Sequence, residues 1–188
     1  MASLRISFIT LLAFTSVTLS SQIAQSSPHP ATATSALIDP QKGLYFLTQG
    51  FRLPVKGSDW VTSNQENEQG VLFELKSRSS ARFSVRWEAQ ATSPTLESYA
   101  KKWMRDYSSY GFDLLGTKTF TENQNRGLLI DVLHRKSNLQ MRQVVFMQSP
   151  RLVVLTCSDE KVHFDSTLSQ CNQLIRNFSW TSTSQKAP

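Results

Sequence analysis

The sequence predicts an α+β domain built on a central, mainly antiparallel sheet, and three observations predict it. Four strand-like segments follow one another between residues 112 and 157, joined by short polar turns, which is the pattern of a meander. Two segments carry apolar residues at helical spacing, one before that meander and one after it. The segment 151–157 is apolar on both faces, with Leu152 and Val154 on one side and Val153 and Leu155 on the other. Such a strand belongs at the centre of a sheet and needs cover on both sides. Two helices packed on opposite faces would supply it.

The chain has 188 residues and a formal net charge of +6, enough for one domain with a sizeable core plus flanks. Residues 1–24 read as a secretory signal peptide. Arg5 closes a short charged n-region, and Phe8, Ile9, Leu11, Leu12, Phe14 and Val17 form an uncharged h-region. That stretch is short and rich in Ser and Thr for a membrane span; the alternative is an uncleaved N-terminal anchor. No cysteine follows it, which excludes a lipid anchor through an N-terminal Cys. Residues 25–42, rich in Ser, Thr, Ala and Pro, read as a disordered leader. The domain is expected over residues 43–180, and a polar tail over 181–188.

Within the domain, two short apolar pieces, 44–47 and 51–55, are separated by Gly50, and Pro54 confines the second to an edge or strand end. Trp60 is placed to plug the core. Residues 71–76 and 81–88 are expected to pair through a turn at 77–80. Phe83, Val85 and Trp87 alternate there with Arg82, Ser84, Arg86 and Glu88, so one face meets the core and the other meets water.

The first helix is expected over 93–111. Ser93 is placed to cap it, Pro94 suits its first position and Glu97 complements its dipole. Leu96, Tyr99, Ala100, Trp103, Met104 and Tyr107 recur at helical spacing, with Gly111 as the stop. The Trp–Met–Tyr stripe reads as core rather than as a ligand groove. The closing helix is expected to begin at Asp165 as cap and to bury Leu168, Cys171, Leu174, Ile175 and Phe178.

The chemistry-bearing residues are few. Cys157 and Cys171 are the two cysteines of the chain. In an oxidising compartment they predict a structural disulfide, with two buried thiols as the alternative. His134 and Asp131 are three apart on a strand and therefore point to opposite faces. His163 with Asp159, Glu160 and Asp165 could make only a loose metal set, and solvated turn charges are the favoured account. No nucleophile elbow, zinc-binding helix, phosphate loop or calcium loop is present, so no catalytic residue, metal or cofactor is assigned. Asn177–Phe178–Ser179 matches a glycosylation acceptor, although Phe178 reads as buried. Lys101, Lys102 and Arg105 on the first helix, and Arg135, Lys136 and Arg142 around one hairpin, are candidates for a basic contact surface. Nucleic acid is the wrong partner for an exported chain.

The order GFRLPVKGSDW, TLESYAKKWM, a four-strand meander and STLSQCNQLIRNFSW resembles the PsbP/DcrB-like family of exported domains (the Mog/PsbP-type fold) over residues 43–180. The resemblance implies an α/β/α sandwich. Its members include extrinsic photosystem subunits, bacterial envelope proteins and a nuclear Ran-binding factor, which share binding and assembly work rather than a reaction. The lipid-anchor Cys of DcrB-type members is missing here, and no metal ligand is carried across.

The leading expectation is a non-catalytic exported binding or assembly module acting on an envelope or membrane-associated protein complex. A small hydrolase or ligand-binding enzyme is the first alternative, with a pocket between sheet and helix near Trp60, Trp87 or His134. The second is a protein that holds anionic lipid or wall polymer through Lys101, Lys102 and Arg105.

Overall fold

A computed structural model describes residues 37–39, 43–45, 49–55, 58–63, 70–88 and 95–181, with backbone pairing alone for 37–45. The expected signal peptide and most of the leader and tail lie outside the described residues. In chain order the elements are β1 (Leu37–Asp39), β2 (Gly43–Tyr45), β3 (Phe51–Arg52), β4 (Trp60–Thr62), β5 (Gly70–Leu75) and β6 (Arg78–Glu88). Helix α1 (Leu96–Asp106) follows, then β7 (Phe112–Glu122), β8 (Asn125–His134), β9 (Leu139–Gln148) and β10 (Arg151–Glu160). Helix α2 (Phe164–Arg176) and β11 (Ser179–Trp180) close the chain.

Seven strands form one sheet in the order β4-β5-β6-β10-β9-β8-β7, and each neighbouring pair is antiparallel. β10 sits inside it, between β6 and β9, as its two apolar faces require. Val153, Leu155 and Cys157 join a core with Phe164, Cys171, Leu174 and Ile175 of α2. Leu152 and Val154 join a second core with Leu96, Tyr99 and Ala100 of α1. The side-chain period of two therefore hands α1 and α2 opposite faces of the sheet. The architecture is α+β, with a mainly antiparallel sheet.

The α2-side core is the larger and is rich in aromatic rings. Phe178 stacks on Phe146 with centroids 4.2 Å apart and planes 4° from parallel. Gly127 makes room beside this stack, because a Cβ there would come within 2.7 Å of the Phe120 ring and 3.0 Å of Phe146. Cys157 and Cys171 lie at disulfide-bonding distance, S–S 2.08 Å, and both are fully buried.

Small outer ladders finish the domain. β1 pairs with β2, inside the stretch expected as leader and domain start. β11 pairs with β3, placing Trp180 opposite Phe51. Gly50, at φ +78°, lets Arg151 reach its carbonyl, since a Cβ would collide with that guanidinium.

Several boundaries differ from expectation, each for a local reason. α1 starts at Leu96 and is capped by Thr95 rather than Ser93: Thr95 and Ser98 close a reciprocal capping box. The helix ends at Asp106. Gly111, at φ +83°, instead turns the chain into β7 after a short polar turn. α2 begins one residue before Asp165, which lies in its first turn and complements the dipole without capping. β6 starts at Arg78 and β10 runs on to Glu160. Both extensions exist because Asp159 at the end of β10 finds partners at the start of β6.

Candidate cleft between the first helix and the sheet

The α1-facing side of the sheet is less apolar than the α2-facing side. Its positions place Arg86, Val154 and Val145 in one cross-strand row. Ser84, Thr156, Gln143 and Ile130 form the next. α1 crosses above these rows and presents Tyr99, Ala100, Trp103 and Tyr107. The helix does not fill the space over the polar row. A cleft of about 300 Å³ remains, with these eleven residues around it.

Its polar groups are held by one another. Arg86 donates from Nη2 to the Tyr99 hydroxyl at 2.8 Å, and that hydroxyl donates to Glu88 Oε1 at 3.1 Å. The Arg86 guanidinium also lies 4.8 Å from the centre of the Trp103 ring, a cation–π contact. At the other end of α1, Tyr107 donates to Gln143 Oε1 at 2.5 Å.

Burial raises the pKa of Tyr99 to about 12; Arg86 opposes the shift and Glu88 adds to it. Burial raises that of Tyr107 as well, again against Arg86. Both phenols therefore stay protonated across the physiological range and serve as hydrogen-bonding groups, not as bases or nucleophiles. No histidine or carboxylate is among the described residues that line the cleft.

The aromatic stripe of α1 thus divides. Tyr99 and Tyr107 are buried as expected, but Trp103 is 39% exposed at the mouth of the cleft rather than in the core. It packs on Tyr99 with ring centroids 6.2 Å apart and meets the Arg86 guanidinium across a polar stretch of sheet, which leaves part of the ring open. Trp60, Trp87 and His134, expected near a pocket, do not line this cleft. Trp60 and Trp87 belong to the core under α2. His134 packs on Phe112 with ring centroids 4.8 Å apart, and its Nδ1 lies 2.6 Å from Ser137 Oγ. Sequence reasoning missed Ser84, Arg86, Gln143 and Thr156. The available signal was Thr156, a polar break in an otherwise apolar strand, on the same phase as Ser84 and Arg86.

The candidate basic residues fall in two places. Lys101, Lys102 and Arg105 lie exposed on the outer side of α1, with Arg105 bonded to Asp106 at 3.0 Å. Around the β8–β9 hairpin, Arg135 pairs with Asp113 at 2.8 Å, and Arg142 grips both oxygens of Asp131 at 2.7 and 2.8 Å. Lys136 is exposed in the turn. Arg142 stands opposite Cys157 in the register and so faces the α2 side, away from α1.

The weighed metal set around His163 is not assembled either. Asp159 is fully buried and bonded to Arg78, Ser80, Thr167 and the backbone N–H of Glu160. Among the described residues no three His, Cys, Asp or Glu side chains are placed to hold an ion. Nor is any helix among them long and apolar enough to cross a membrane.

No family model matches the chain, and no curated protein matches it. Solved structures do. Cyanobacterial PsbP from Synechocystis sp. PCC 6803 is similar at TM-score 0.54 and 14% identity, covering 71% of this chain and 88% of that one. A Pseudomonas aeruginosa protein of unknown function is similar at TM-score 0.54 and 14% identity, over 67% of this chain and 100% of that one. At such identity the likeness is one of fold. The chain has a PsbP-like fold.

Proposed function

We propose that this chain is an exported, non-catalytic binding or assembly module of the PsbP/DcrB-like family, an α/β/α sandwich acting on an envelope or membrane-associated protein complex. The observation that carries the proposal is the chemistry of the cleft. It offers two phenols that stay protonated, a guanidinium stacked on an indole, and a row of neutral polar groups, with no base beside a nucleophile. Such a site recognises and holds. The signal-like N-terminus and the cysteine pair at bonding distance support an oxidising, exported setting. The PsbP-like fold supports a module, although fold alone does not assign a function.

The test is site-directed photocrosslinking in cells, with the reactive group placed at Trp103 or, as a control outside the cleft, at exposed Lys161 in the turn between β10 and α2. The expected result is one envelope or membrane-associated protein captured from position 103 and not from position 161. Equal capture from both, or none from either with folded protein, overturns the proposal.

A further inference from the structure

We infer that the cleft under α1 is a binding site for a small organic carboxylate with a flat apolar body. The inference rests on the reading of this chain as a binding module and names what its cleft takes.

The argument starts from what each polar group has left to offer. Ser84, Thr156 and Gln143 lie side by side in one cross-strand row, about 4.8 Å from strand to strand. Gln143 already accepts the Tyr107 hydroxyl on its amide oxygen, so its remaining capacity is its N–H groups. Ser84 and Thr156 can each donate a hydroxyl hydrogen. Arg86, two residues along β6 from Ser84, gives Tyr99 one hydrogen bond out of the five N–H donors that a guanidinium carries. The row is therefore rich in donors, and its complement is rich in acceptors.

Charge sharpens this. Arg86 is the single ionised side chain among the described residues that line the cleft. Glu88 is 4.0 Å from Arg86 but accepts the Tyr99 hydroxyl and is not part of the lining. A carboxylate laid along the row meets Arg86, Ser84 and Thr156 together, in charge-assisted hydrogen bonds. The rest of the ligand meets Val145 and Val154 on the sheet and the half-open Trp103 ring at the mouth. That surface favours a flat apolar body. The volume of about 300 Å³ lies at the small end of ligand sites, which run from roughly 300 to 1,000 Å³. A space of that size admits a small organic molecule.

The experiment is calorimetric titration of the purified chain with benzoate, with neutral benzamide as the matched control. Saturable benzoate binding is expected, with benzamide at least tenfold weaker. Arg86→Gln and Thr156→Val should each weaken benzoate at least tenfold, while Lys161→Ala, in the β10–α2 turn outside the cleft, leaves it unchanged. Thr156→Val nearly conserves volume at a half-exposed position, so it decides the matter if the arginine variant fails to fold. Absence of saturable benzoate binding, equal binding of benzamide, or full affinity in Thr156→Val overturns the assignment. If that happens while Trp103 still crosslinks an envelope partner, the carboxylate assignment falls and the module reading stands.

Discussion

Arg78 and Asp159 meet at 2.8 Å across the β6–β10 seam, and the carboxylate that Arg78 reaches is completely buried. Ser80 donates to the other oxygen at 2.7 Å, and Thr167 donates to the shared one at 2.6 Å. One acidic group thus ties the start of β6, the end of β10 and the first turn of α2 together. The connection spans both strand extensions that the sequence pattern did not foresee.

Acid should loosen this pin. Burial alone would raise the Asp159 pKa, but the hydroxyls of Thr167 and Ser80, the Arg78 guanidinium and the Glu160 N–H together hold it below the ordinary value. A depressed carboxylate contributes stability that is present above its unfolded value, about 4. That contribution is lost as pH falls through the lower folded value. Urea midpoints should therefore drop below about pH 4, and Asp159→Asn should flatten that part of the curve. At neutral pH the same substitution should cost about 2–3 kcal/mol, the worth of hydrogen bonds to a charged group. An Asn variant as stable as the parent at pH 7 would contradict the pin.

The cysteine pair is the next place to look. Cys157 and Cys171 are 14 residues apart and fully buried, and closing such a loop is worth about 3 kcal/mol in the chain-entropy model. Mass mapping without reductant should find the two joined. The double Cys157→Ala, Cys171→Ala variant should lose about that much stability, measured by denaturant unfolding. Alkylation of the folded, untreated protein should be negligible. Two free thiols on unfolding without reductant would refute the bridge.

Alkaline titration reads the cleft directly. Tyr99 is pushed up to about 12 by burial. A phenol whose folded value is raised contributes stability that is intact below its unfolded value, about 10. The contribution is lost as pH climbs through the folded one. Absorbance at alkaline pH should show Tyr99 ionising near 12, and Tyr99→Phe should remove that late step. It should also weaken the dependence of stability on pH between about 10 and 12. Tyr107, also raised by burial, keeps its own late step in that variant, so an alkaline titration unchanged by Tyr99→Phe would place the phenol that ionises near 12 elsewhere.

How much of this was legible in the sequence depends on which contacts are local. The period of two in β6 and the two-sided apolar run of β10 are written residue by residue, so the sheet order near the centre follows from them. α1 is written in a period of 3.6, and its buried Leu96, Tyr99 and Ala100 follow as well. Trp103 did not, because its exposure depends on what lies across from it. Arg86 is seventeen positions away in the chain and meets it only through the crossing of helix over strand. The cleft is a property of that crossing. Thr95 took the capping role because Ser98 could answer it from the first turn, a choice that Ser93 and Pro94 masked. The hairpin cations read as a patch in one dimension. Across the ladder, Asp113 and Asp131 neutralise two of them.

The pairing of β11 with β3 carries a further consequence. Trp180 meets Phe51 edge-on at 6.3 Å, Thr181 donates to the Gly50 carbonyl at 3.0 Å, and Arg151 lies over the Trp180 ring at 5.1 Å. The polypeptide enters the domain and leaves it side by side, so its path is nearly a closed circuit. Phe51 and Trp180, far apart along the chain, are held there as neighbours. One small ladder therefore fixes where the start of β3 and the end of β11 sit relative to each other.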